Sequence, residues 1–196
     1  MPKAHRTAVK VILIYLAVFA LWLLAAREYH LLLGKMAATL IPVVENCSVD
    51  RVWYDRGVRY EISFYNPHSR QILTAKGVVD AMQYGYPMVT FLVLALAFPG
   101  PKEWKMKKRG LLTILGAGVL FFLYSVFIVV AVYEFLGQYE AASLKENWIA
   151  RALPPALFTR YEIPLLVFLG QVIPVFLWGM LFGWPQFAAK KGALRA

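Results

Sequence analysis

The chain has 196 residues, 60% of them apolar, and carries a formal net charge of +10 from 21 Lys/Arg and 11 Asp/Glu. That composition, with a mean hydropathy of +0.57, excludes an ordinary soluble domain and a disordered chain. The single cysteine, Cys47, excludes an internal disulfide, and three scattered histidines offer no metal-ligand spacing.

The first apolar segment covers about 9–26. Its basic start and Ala25-Ala26 end resemble a signal peptide. An apolar run of about 18 residues is long for that purpose and near the ~20 needed to span, so an uncleaved anchor is expected. Beyond it Tyr29, Leu32, Leu33, Met36 and Leu40 recur at helical spacing before Pro42. This spacing predicts an amphipathic helix lying on the outer membrane surface, weakened by Gly34.

The period then changes from helical to two. In Val58–Tyr65 the apolar Val58, Tyr60, Ile62 and Phe64 alternate with Arg59, Glu61 and Ser63. Such alternation predicts a half-buried strand, with turns at 55–57 and 66–69. Flanking runs over 49–54 and 71–79 complete a three-stranded antiparallel meander inside an insert of about 43–82. A unit this small, without a disulfide, needs support from the membrane helices, the surface helix or another protein.

The second apolar segment, about 84–99, is short after Pro87, with Tyr84 and Tyr86 as expected interfacial anchors. The third, about 111–136, would be roughly 39 Å long at 1.5 Å per residue, so it should tilt or protrude. Ser143 to Glu146 fits a capping box, and Leu144, Trp148 and Ala152 follow at helical spacing. A second exterior amphipathic helix is expected at about 143–153. The fourth segment, about 163–183, holds Gln171, Pro174 and a Gly179-to-Gly183 GxxxG pattern. Gln171, Gly179 and Gly183 are its expected helix-packing residues.

If all four segments cross a bilayer, the charge sorts. The N-terminus, the 100–110 loop and the C-terminal tail hold eleven cations against Glu103 alone. The other side holds ten Lys/Arg and ten Asp/Glu. That is the positive-inside bias. The expected fold is therefore a membrane all-α bundle of four transmembrane helices with a small exterior antiparallel β-meander, forming one integral membrane domain. Both termini are expected on the cytoplasmic side of a bacterial inner membrane.

Topology accounts for the basic charge without nucleic acid, since no base-reading module accompanies it. Lys105, Lys107, Lys108 and Arg109 are expected to meet anionic lipid at the cytoplasmic face. Nothing in the residues calls for a cofactor. Cys47 could serve as a nucleophile with His30 or His68, and Gln171 with the Pro174 kink could line a carrier's path. Against both, no ionisable residue lies in mid-span, and no catalytic signature surrounds Cys47.

The stretch Val79-Asp-Ala-Met-Gln-Tyr-Gly-Tyr-Pro87, with the apolar run to Gly100 and the basic loop after it, resembles small accessory membrane proteins of bacterial exosortase systems. The resemblance rests on about 25 residues and on the Tyr84-Gly85-Tyr86 run. It implies a helper without catalysis of its own. The residues and the resemblance together lead to a non-catalytic accessory or assembly subunit of an inner-membrane complex. Tyr60, Ile62, Phe64 and Trp148 are its expected contacts with other membrane proteins.

Overall fold

A computed structural model describes residues 3–44, 47–66, 69–79, 82–98, 100–101, 103–137 and 162–185. These residues form four helices and one sheet: α1 (Lys3–Val44), β1 (Cys47–Tyr54), β2 (Val58–Asn66), β3 (Gln71–Val79), α2 (Met82–Ala97), α3 (Met106–Gly137) and α4 (Glu162–Trp178). A π-helical turn, Gly179–Gly183, extends α4.

Two of these helices, over His5–Val43 and Met106–Val132, are long and apolar enough to cross a membrane by length and composition. The apolar stretches in α2 and α4, Gly85–Ala97 and Gly170–Gly183, are shorter. The expected surface helix at 143–153, with Trp148, lies outside the described residues.

The largest departure from the sequence reading is in α1. Its apolar anchor and the amphipathic stretch after it are one continuous helix of 42 residues, running through Pro42 to Val44. No breaker separates the two halves: Arg27 and Glu28, at the expected junction, are good helix formers. Pro42 falls in the last turn, where the lost N–H costs one bond at a fraying end.

The chain divides into two compact units. The first takes α1 up to Ala26, α2 from Tyr84, α3 up to Phe121, and the chain from Leu169. Its core sets Trp22 and Ala26 of α1 against Val89 and Val93 of α2, with Ile14, Val18 and Phe19 packed on them. Tyr86 stacks on Phe19 at 6.3 Å and lies 5.0 Å from Trp22 between ring centroids. Its ring therefore contributes to the packing of α1 on α2, beyond the interfacial anchoring expected of it. Gly116 of α3 allows the Phe91 ring of α2 to sit where a side chain would otherwise be.

The second unit takes α1 from Arg27, the sheet, the first two residues of α2, α3 from Phe122, and α4 up to Phe168. The sheet is the expected meander, in the order β1-β2-β3 with both pairings antiparallel. Its first turn places Arg56 at φ 53° and Gly57 at φ 153°. At Gly57 a side chain would press on Val78 and on the Val79 carbonyl oxygen. β2 alternates as its sequence does. Val58, Tyr60, Ile62 and Phe64 are buried, whereas Arg59, Glu61 and Ser63 are not.

Candidate functional site

The apolar face of the sheet is covered by the chain itself. Tyr60, Ile62 and Phe64 retain 1%, 1% and 4% of their accessible surface, so they form core and cannot serve as an exposed partner surface. What covers them explains why. The buried stripe of α1 in this unit is His30, Leu33, Ala37 and Ile41, at helical spacing and with Gly34 in line. A Cβ on Gly34 would overlap Val58 Cγ1 and come within 3.2 Å of the Tyr60 hydroxyl. Glycine thus lets β2 approach the helix backbone, and Tyr60 Oη donates to the Gly34 carbonyl oxygen at 3.2 Å. The amphipathic stretch faces the sheet, with Leu33 fully buried and Leu32 exposed.

The opposite face of the sheet is mixed, with Tyr65, Ile72 and Val78 exposed beside polar residues. Glu61 and Lys76, paired in register, form a 3.1 Å salt bridge. The Ser63 hydroxyl donates to Asp50 and lies 3.1 Å from the Thr74 hydroxyl. Asp50 falls at the register shift between Val49 and Arg51, where a bulge re-aims its carboxylate.

The two ends of β1 carry the residues considered for nucleophilic chemistry. Cys47, half-buried, pairs with Phe64 at one end. His30 is fully buried and stacks on Tyr54, at the other end, with 6.0 Å between centroids. Tyr54 lies seven residue steps along the strand from Cys47, roughly 23 Å at the usual strand rise. The structure therefore does not bring Cys47 and His30 together. His68 lies outside the described residues.

In the first unit the loop from α2 to α3 is held in shape by several contacts. Trp178 Nε1 donates to the Phe98 carbonyl oxygen at 3.2 Å, and Arg109 Nη2 donates to that of Pro101 at 2.9 Å. The Trp104 ring packs against Phe182 of the π-helical turn, 6.3 Å between centroids. Gly100, at φ 86°, sits beneath the same ring, where a Cβ would come within 3.0 Å of it. Lys108 Nζ lies 4.1 Å from the centroid of Trp104. From this frame Lys105, Lys107 and Lys108 are exposed to solvent, and Met106 is exposed between them.

The described part of α4 presents a different surface. Gln171 is exposed and its amide makes no hydrogen bond to a described residue. Val172, Val175, Phe176, Met180 and Trp184 are exposed along with it. Around the π-helical turn, Val175, Phe176, Trp178, Gly179, Met180, Gly183 and Trp184 line an open apolar groove of about 720 Å³. Among the described residues the GxxxG pattern does not mark a close helix crossing. A Cβ on Gly179 would meet no described residue within 4 Å, and one on Gly183 would meet the Trp178 ring. Five-residue spacing closes the turn instead, with the Trp184 N–H bonded to the Gly179 carbonyl oxygen.

No family model, curated protein or solved structure matches this chain.

The close-contact glycines are Gly34 and Gly116, and the residues that shape the basic loop are Gly100, Trp104, Trp178 and Phe182. Sequence reasoning singled out none of them for these roles. A signal existed at Gly34, where the glycine interrupts an otherwise good helical face. Nothing in the sequence pointed to the pairing of Trp104 with Phe182.

Proposed function

We propose that this protein is a four-span subunit of a bacterial inner-membrane complex, with both termini cytoplasmic, and that it works without catalysis of its own. Its contact with another membrane protein runs through the outer face of α4. The sheet serves as internal support.

The observation that carries this reading is the exposed Gln171. In the four-span topology it lies near the middle of the bilayer, where an amide without a partner costs several kcal/mol by transfer estimates. An isolated apolar face would be satisfied by lipid, but an amide on that face calls for a hydrogen-bonding protein surface. The adjoining groove, with glycine at Gly179, suits a close-packed helix. The likeness of the 79–100 stretch to accessory proteins of exosortase systems supports the same kind of role.

Photoreactive amino acids placed singly at Phe176 and at Leu24 of α1, both exposed, test the proposal in intact membranes. Position 176 should give a discrete protein adduct that Gln171→Leu weakens, and position 24 should give lipid adducts. Lipid adducts alone from position 176 would overturn it.

A further inference from the structure

We propose that the α2–α3 loop and the first turn of α3 form a platform for the phosphate groups of an anionic lipid leaflet. The proposal rests on the membrane reading above and is independent of any partner at α4.

Three observations converge on it. First, among the described residues the cations lack acidic partners, although Lys108 also rests against the Trp104 ring. Lys105, Lys107 and Lys108 make no salt bridge among the described residues, and the first turn of α3 contains no acid. Cations at a helix N-terminus face the positive end of the macrodipole, so they work against local stability. An anion at the same place is attracted by the side chains and by the helix terminus together.

Second, the fold fixes the loop. The Trp178–Phe98 and Arg109–Pro101 hydrogen bonds and the seating of Trp104 on Phe182 hold the segment on which the lysines stand. Their charges are therefore presented in a set arrangement and not on a free tail. Preorganised donors lose less entropy on binding.

Third, the surroundings fit a bilayer surface better than a soluble anion. Met106, 78% exposed, stands among the lysines, and the apolar span of α3 begins in the same turn. Trp104, half-buried with Lys108 against its ring, has the amphipathic character of an interfacial anchor. The long lysine stems can lie along apolar surface while their ammonium groups reach headgroup phosphates.

The test uses the purified full-length chain in vesicles of phosphatidylcholine with about one third phosphatidylglycerol, probed with spin-labelled forms of each lipid. The motionally restricted fraction should favour phosphatidylglycerol about fivefold, the effect of one cation near an anionic surface. Raising the salt to 1 M should reduce that preference. The triple variant Lys105→Gln, Lys107→Gln, Lys108→Gln should abolish it. Trp104→Leu, which keeps every charge but removes the ring from Phe182, should weaken it.

Equal restriction of the two lipids by the parent protein would overturn the proposal. So would an unchanged preference in Trp104→Leu, which would reduce the loop to diffuse charge. A chain that restricts neither label is not inserted at all, and that outcome removes the membrane reading as well.

Discussion

Tyr60 of β2 and Gly34 of α1 are joined by a buried hydrogen bond, the Tyr60 hydroxyl donating to the Gly34 carbonyl oxygen at 3.2 Å. The bond spans 26 residues of sequence and ties the middle strand to the helix. Replacing Tyr60 by Phe should cost about 0.5–1.5 kcal/mol, the usual net value of such a bond. Gly34→Ala should cost more, about 1–3 kcal/mol, because its methyl would overlap Val58. Thermal unfolding in detergent checks both, and an unchanged Tm for Gly34→Ala would contradict the close approach.

The two faces of β2 should respond oppositely to charge. Ile62→Asp places a carboxylate where 1% of the residue is accessible, and a loss of about 3–5 kcal/mol is expected. Glu61→Lys breaks the exposed pair with Lys76 and sets like charges opposite each other, at a cost of about 1 kcal/mol or less. Size-exclusion chromatography should show the first variant aggregated or absent and the second like the parent.

Gly116 and Gly118 offer a matched pair on α3. A methyl at Gly116 would collide with the Phe91 ring, but at Gly118 it would meet no described residue within 4 Å. Gly116→Ala should destabilise by about 1–3 kcal/mol. Gly118→Ala should be neutral or stabilising by up to about 1 kcal/mol, since alanine is the better helix former. Gly116→Ala should therefore lower the melting temperature and Gly118→Ala should not, and equal shifts would mean that Phe91 does not pack on Gly116.

The proposed four-span topology has a direct check. Reporters fused after Pro101 and after Ala196 should give cytoplasmic signals, and those after Ser69 and Asn147 exterior ones. An exterior signal at Pro101 would mean that α2, only 16 residues long, does not cross.

Much of the local architecture was legible in the residues. The alternation from Val58 to Phe64 specified the middle strand and its buried face, and Asp55-Arg56-Gly57 specified the turn before it. Four apolar runs marked the four helices, and two of these are long enough to span. The α4 face was partly legible: Gln171 stood out as a lone amide in an apolar run, and its side chain is exposed with no hydrogen bond to a described residue. The GxxxG glycines close no helix crossing among the described residues.

By itself the sequence determined which residues are apolar and with what period, because helical and strand geometry repeat over a few neighbours. It also determined where charge accumulates, at the loop from 100 to 110 and at the two ends. The tertiary structure alone decided what covers the apolar face of the sheet. That face meets α1 because Gly34 lets the strand reach the helix backbone, a fit between residues far apart in sequence. The same holds for Trp104 on Phe182 and for Phe91 over Gly116. Periodicity gives the side on which a residue is apolar, but the surface it meets depends on a distant partner of matching shape.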